Sequence, residues 1–170
     1  MELEAAIRTR RTHKVFGTEP VSREQLDGLF ELARWVPNHH LTNPWRFRVL
    51  GPDALARLKE ASGPENAAKL DRAPTLVVAT AKINPENEVQ TEEDILATAC
   101  AVYAVLLGAH DRGLVGYWRT PAVLREDAGR KALGIPADER FVSLIQLGPG
   151  RQEKPARERT PVDEVVTYLK

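Results

Sequence analysis

Glu92-Glu93-Asp94-Ile95-Leu96-Ala97-Thr98-Ala99-Cys100-Ala101-Val102-Tyr103-Ala104-Val105-Leu106-Leu107-Gly108-Ala109-His110-Asp111 is the stretch from which the rest of the fold can be read. Ile95, Ala99, Val102, Val105 and Leu106 recur at helical spacing, while Ala97, Ala101, Ala104 and Ala109 keep much of the remainder small. A helix apolar on most sides is buried, either in a core or against a partner subunit. Gly113 stops it. Cys100, the single cysteine, lies within it and reads as a small packed hydrophobe. No apolar run of the chain reads as approaching the ~20 residues of a membrane span.

Around this helix the chain alternates strands and helices. Ser22 and Gln25 resemble a capping box, with Leu26, Leu29, Phe30 and Ala33 following at helical spacing until Pro37. Arg46–Leu50 alternates as a strand. Helices are predicted over Ala54–Ala61, Ala67–Ala73 and Ala122–Leu133. Thr75–Ala81 and Phe141–Leu147 are continuous β-branched and apolar runs, as strands buried on both faces would be. Val115–Trp118 adds a short strand. Four or five strands and one long helix predict an α+β or α/β three-layer arrangement. The apolar end of the tail, Val162, Val165, Val166 and Leu169, must dock somewhere.

The 170 residues suit one domain, or one protomer of an oligomer; 42% are apolar and 28% charged, and the net charge is zero. Broad electrostatic binding to nucleic acid or a membrane surface is therefore not favoured. The N-terminus has charges but no apolar signal core, so a cytoplasmic location is expected. No glycine-rich phosphate loop follows any strand.

Against that neutral background, Arg8-Thr9-Arg10-Arg11-Thr12-His13-Lys14 concentrates cations and hydroxyls between apolar anchors. Two readings are open: a site for a small anion, built from guanidinium forks and a point charge, or a solvated helix end that balances the helix dipole. Three further places can carry chemistry: the proline-pinned loop Pro37–Trp45, the strand end Gly116–Pro121, and the tail with Lys154, Arg157 and Arg159. His39 and His40 are adjacent and lack the spacing of a helical metal pair, so no metal site is predicted. The loop is either a polar surface loop or a ligand contact. Trp118 ends a strand and can be structural. There is no nucleophile elbow, and no carboxylate sits in an apolar stretch that would raise its pKa. A phosphate-binding kit without an acid, base or nucleophile suggests that a cofactor carries the reaction.

The order of these motifs resembles the flavin-dependent nitroreductase family, in its short NAD(P)H nitroreductase branch. The resemblance rests on Arg10-Arg11-Thr12-His13-Lys14, on Pro37-Asn38-His39-His40-Leu41-Thr42-Asn43-Pro44-Trp45, on Gly116-Tyr117-Trp118-Arg119, and on the tail from Arg157 to Val166. It spans nearly the whole chain. It implies one FMN-binding domain over residues 1–170, with a mostly antiparallel central sheet flanked by helices. It also implies a homodimer with a long buried central helix and an FMN at each of two interface sites. The family's Arg-Arg-Ser-x-Arg motif is matched by Arg10, Arg11, Thr12 and Lys14. By that match Arg10 and Thr12 hold the phosphate and ribityl chain, and Lys14 lies at the pyrimidine edge, where reduced flavin is anionic. Arg157 and Arg159 would close on the phosphate. Trp118, Arg119 and Thr120 match a flavin-edge segment.

The loop corresponds to the family's Pro-Ser-Ser-x-Asn-x-Gln-Pro-Trp segment, which reaches the partner's flavin. Pro37, Pro44 and Trp45 are kept, while Asn38, His39, Leu41 and Asn43 replace the two serines, the asparagine and the glutamine. The stretches between Leu50 and Thr75 and between Ala81 and Thr91 are short, which implies an open active site. The implied activity is ping-pong hydride transfer through FMN from NADPH or NADH to an electron-poor small molecule such as a nitroaromatic or quinone. Other reductive chemistry on the same fold, enal reduction or dehalogenation, and non-enzymatic flavin binding are the alternatives.

Overall fold

The structure is a computed structural model, and it describes residues 1–169. Four strands, β1 (Trp45–Val49), β2 (Thr75–Lys82), β3 (Leu114–Arg119) and β4 (Glu139–Pro149), form one sheet in the order β1-β2-β4-β3. Every neighbouring pair is antiparallel. The two predicted apolar runs are its central strands. In β2 Thr75 through Ala81 are all buried, as are Ser143 through Gly148 in β4.

Alternation along β2 divides the core in two. Val77 and Ala79, with Ile145 and Leu147, face α2 (Arg23–Ala33) and α5 (Glu88–Asp111), where they meet Leu29, Val102, Val105 and Leu106. Leu76 and Val78, with Leu144, face the opposite layer, which contributes Leu58, Leu70 and Leu124. The architecture is therefore α+β, a helix–sheet–helix sandwich. The opposite layer holds α3 (Pro52–Ser62), α6 (Asp127–Ala132) and, beside them, α4 (Pro64–Ala67). The remaining helices are α1 (Leu3–Thr9) and α7 (Val162–Val165).

The Ser22 capping box is present: Ser22 Oγ accepts from the Gln25 amide at 3.2 Å, and Gln25 Oε1 accepts from the Ser22 amide at 3.1 Å. α5 starts one turn earlier than its apolar pattern, because Asn87 Oδ1 accepts from the Gln90 amide at 3.1 Å and caps it there. By length and composition alone α5 is apolar enough to cross a membrane, which corrects the sequence reading. Half of its most apolar window is nonetheless buried inside the protein, against the sheet and α2.

Its outer face also differs from expectation. Cys100 is exposed rather than packed. It lies on a stripe with Val89, Leu96 and Tyr103, and Leu96 is 60% exposed.

Two predicted helices are displaced. The one placed at Ala67–Ala73 is instead α4, which starts on Pro64 as its first residue. The one placed at Ala122–Leu133 is a 3-10 turn over Ala122–Arg125 followed by α6, broken where Glu126 is extended. The chain folds back so tightly there that a β-carbon at Gly129 would lie 2.1 Å from the Val123 carbonyl oxygen.

Two carboxylates are buried. Asp94 accepts from Thr42 Oγ1 at 2.5 Å. Glu139 receives both Arg48 Nη groups, at 2.7 and 2.9 Å, and the Thr80 hydroxyl. Burial pushes the Glu139 carboxyl up, but its bonds to Arg48 and Thr80 outweigh burial and hold it below the usual range. A depressed folded pKa means stability that is full above the unfolded value of about 4.3 and lost as pH falls through the folded value.

Glu139→Gln strips Arg48 of its counter-charge. Arg48 keeps a quarter of its side chain exposed, so we expect a loss of about 2–3 kcal/mol, somewhat under that of a fully buried pair. Urea unfolding at neutral pH checks this. The difference from wild type should shrink as the pH is lowered below about 4.

Candidate functional site

The N-terminal motif is laid along the sheet. α1 ends at Thr9, and Arg10 turns extended with φ −57° and ψ 130°. Thr12 then forms a parallel bridge with Gly116 of β3, and the His13 amide donates to the Gly116 carbonyl at 3.1 Å. A β-carbon at Gly116 would lie 2.5 Å from a methyl of the buried Leu106, so a larger residue there would have to displace that side chain. Phe16 completes the track by bridging Gly150, just past β4. The tail leaves β4 from that same end and returns over the motif. Lys154 Nζ donates to the Thr12 carbonyl at 2.7 Å, and Arg11 Nε donates to the Pro155 carbonyl at 3.3 Å.

Between motif and tail lies a cavity of about 500 Å³ lined by Arg10, Arg11, Thr12, Lys14, Lys154, Pro155, Arg157 and Arg159. Six of these eight residues are cations and none is acidic. Among the described residues none of the six is within salt-bridge distance of a carboxylate. Arg8, by contrast, is exposed and paired with Glu4 at 2.8 Å, so the solvated-helix-end description fits Arg8 but not its successors.

His13, between Thr12 and Lys14 of the motif, is buried at 8% exposure, with its Nδ1 lacking any hydrogen-bond partner. Burial lowers its pKa first, and the Lys154, His110 and Arg10 charges lower it further, so the ring stays neutral. His110 is lowered in the same way, by burial and then by Arg10 and Arg11, and its Nε2 lies 2.8 Å from Thr9 Oγ1. The Arg10 guanidinium lies 6.0 Å from the centre of the Tyr103 ring, joining the cavity to the outer stripe of α5.

The other sequence-predicted residues lie elsewhere in the protomer. Pro37 is exposed at the start of the loop. Asn38 Oδ1 accepts from the Asn43 amide at 2.9 Å, and Asn43 Nδ2 donates to the Leu41 carbonyl at 2.7 Å. These bonds hold His40, Leu41 and Asn43 at φ values of 50°, 52° and 46°. The loop rests on the first turns of α5, with His39 Nδ1 3.4 Å from Glu93 Oε1. It lines a separate cavity of about 260 Å³ together with Asn87, Val89 and Gln90.

Trp118 packs on the core beneath α5. Arg119 points to the other face, donating to the Lys69 carbonyl at 2.9 Å, and Thr120 is exposed. The chain therefore gathers Arg10, Arg11, Thr12, Lys14, Arg157 and Arg159 into a single cavity, and does not add Pro37, Asn38, His39, Asn43, Trp118, Arg119 or Thr120 to its lining. Lys154, which the sequence reading grouped with the tail cations without giving it a cofactor contact, belongs to the cavity. Its only signal in the sequence was a third cation close before the Arg157 and Arg159 pair. The tail's apolar end does not dock on its own chain: Tyr168 and Leu169 are 90% and 91% exposed, and Val162 and Val165 are exposed too.

Comparison with known proteins bears on the fold and the family. A Haemophilus influenzae protein named "Putative NAD(P)H nitroreductase" is 29% identical over 185 residues, covering 99% of this chain and all of that one. The crystal structure of a nitroreductase-like family protein from Bacillus cereus superposes with a TM-score of 0.90 at 21% identity, covering 100% of this chain and 97% of that one. A Desulfovibrio desulfuricans protein solved in complex with FMN superposes with a TM-score of 0.81 at 26% identity, covering 98% and 96%. The sequence pattern of the Nitroreductase family matches residues 7–149, and the chain belongs to that family.

Proposed function

We propose that the protein is an FMN-dependent NAD(P)H oxidoreductase that works as a homodimer. The observation that carries this reading is the cavity between motif and tail, with six cations, a threonine hydroxyl and no lining carboxylate. That donor set suits a phosphate monoester, since guanidinium groups grip phosphate oxygens in pairs. The buried Arg10 Nε without a partner adds a donor that such an anion would satisfy.

In this reading Arg10, Arg157 and Arg159 hold the phosphate, Thr12 the ribityl chain, and Lys14 the pyrimidine edge. Arg11 braces the tail through Pro155. Trp118 and Arg119, which pack to opposite faces of the sheet, take no flavin contact in this reading, and Thr120 is left as the one exposed residue of that segment. Pro37, Asn38, His39 and Asn43 serve the partner's site, which accords with their distance from the cavity of their own chain. The exposed stripe of α5 and the apolar tail supply the dimer surface. The chemistry that bound FMN supplies is hydride transfer from NADPH or NADH to an electron-poor acceptor such as a nitroaromatic or quinone. The protein's part is to bind, orient and polarise, which requires no nucleophilic side chain.

Anaerobic mixing of FMN-loaded protein with NADPH or NADH tests the reading. Flavin absorbance should bleach and return on adding a quinone or nitroaromatic. FMN that stays oxidised with both donors would leave a flavin-binding protein without this activity.

A further inference from the structure

The cavity holds more positive charge than FMN needs, and the surplus has a fixed position. An FMN phosphate carries about −1.5 to −2 at neutral pH. The reduced ring adds one further negative charge, giving about three against six cations. The proposed assignment engages Arg10, Arg157 and Arg159 at the phosphate and Lys14 at the ring, which leaves Arg11 and Lys154. Both are fixed by main-chain carbonyls: Arg11 by those of Arg10 and Pro155, at 2.7 and 3.3 Å, and Lys154 by that of Thr12, at 2.7 Å. Neutral acceptors orient a cation without cancelling it. Lys154 retains two N–H donors beyond the one it uses, and Arg11 retains its second terminal nitrogen. Elsewhere Arg8, Arg23, Arg34, Arg48 and Lys59 have carboxylate partners, while Arg57, Arg112, Arg119 and Arg130 are likewise held by main-chain carbonyls but lie outside this cavity. Arg11 and Lys154 line one cavity, and each keeps donors that no carboxylate engages.

We propose that Arg11 and Lys154 receive the 2′-phosphate of the hydride donor, so that the enzyme prefers NADPH to NADH. This rests on the reading of the cavity as the FMN site. Under that reading the flavin and its donor must occupy the site together, and the 2′-phosphate is the only group by which the two donors differ. Lys154 acts here as a specificity residue, touching the donor and not the flavin.

The test uses FMN-loaded protein and calorimetric titration with adenosine 2′,5′-bisphosphate, adenosine 3′,5′-bisphosphate and adenosine 5′-monophosphate. The 2′,5′-bisphosphate should bind about ten- to a hundredfold more tightly than the monophosphate, the worth of one or two charge-assisted hydrogen bonds. It should also bind more tightly than its 3′,5′ isomer. Lys154→Met should bring the three dissociation constants within about threefold of one another, and Lys154→Arg should retain the contrast. Equal binding of the three nucleotides by wild type would overturn the proposal, as would a contrast that survives Lys154→Met. A parallel tenfold loss of FMN affinity in Lys154→Met would overturn it as well, by returning Lys154 to the flavin phosphate. None of these outcomes touches the FMN reading, which fails separately if wild type cannot be loaded with FMN at all.

Discussion

Arg10→Ala is expected to weaken FMN binding by about one to two orders of magnitude. Arg10 is the residue at which α1 stops and the motif turns extended, so its position is set by the helix end and by the bridge from Thr12 to Gly116. Its Nε is buried without a partner, so the guanidinium is held ready for an acceptor. Removing one charge-assisted hydrogen bond costs about 1.5–3 kcal/mol, which is the quoted change in affinity. Arg8→Ala is the control. It removes an equal charge two residues away, but from an exposed pair with Glu4, and should change FMN affinity by less than about threefold. Flavin fluorescence titration of both variants decides the matter, and equal affinities would take Arg10 out of the site.

The second large effect is on assembly. Val89, Leu96, Cys100 and Tyr103 are spaced along one face of α5, and all are exposed in the protomer. Val162, Val165, Tyr168 and Leu169 add an exposed apolar tail. Contiguous apolar exposure of this kind marks interaction surfaces, and the interface is proposed for this face. Leu96→Glu would place an unpaired charge at the centre of the interface proposed for this face. An unpaired buried charge should cost about 3 kcal/mol or more, weakening the dimer by roughly two orders of magnitude. Sedimentation at micromolar concentration should show wild type as a dimer and the variant shifted toward monomer. Because the loop from Pro37 to Asn43 lies away from its own cation cavity, the variant should lose FMN affinity along with dimerisation. A variant that remains dimeric would exclude this face from the interface.

The parts of the fold legible in the sequence are those whose signal is continuous. Thr75–Ala81 and Phe141–Leu147 read as central strands because both their faces are buried and no polar alternation interrupts them. Ser22 announced α2 because its cap is local, made with a residue three positions on. The short helices were misplaced because tertiary contact decides them. α4 is only four residues long, and the break before α6 depends on Gly129 fitting against the Val123 carbonyl.

The burial of Glu139 was hidden for a related reason: its partner Arg48 is 91 residues away, and neither residue lies in a distinctive local pattern. The exposure of Cys100 shows the opposite limit. Apolar neighbours on every side of α5 conceal which of its faces the sheet takes. The site divides in the same way. Arg10 through Lys14 could be read because their density on a neutral chain is itself a signal. Lys154 could be read only as one of the tail's cations, since the carbonyl that fixes it belongs to Thr12, 142 residues earlier.

The most direct test of the account is to titrate the purified protein, stripped of flavin, with FMN and with riboflavin. The two share the ring and ribityl chain and differ only in the phosphate that Arg10, Arg157 and Arg159 are proposed to hold. FMN should bind more tightly than riboflavin by at least about two orders of magnitude, the worth of two or more charge-assisted hydrogen bonds, and the gap should narrow with added salt. Riboflavin binding as tightly as FMN would contradict the assignment of the cationic cavity as the cofactor's phosphate site.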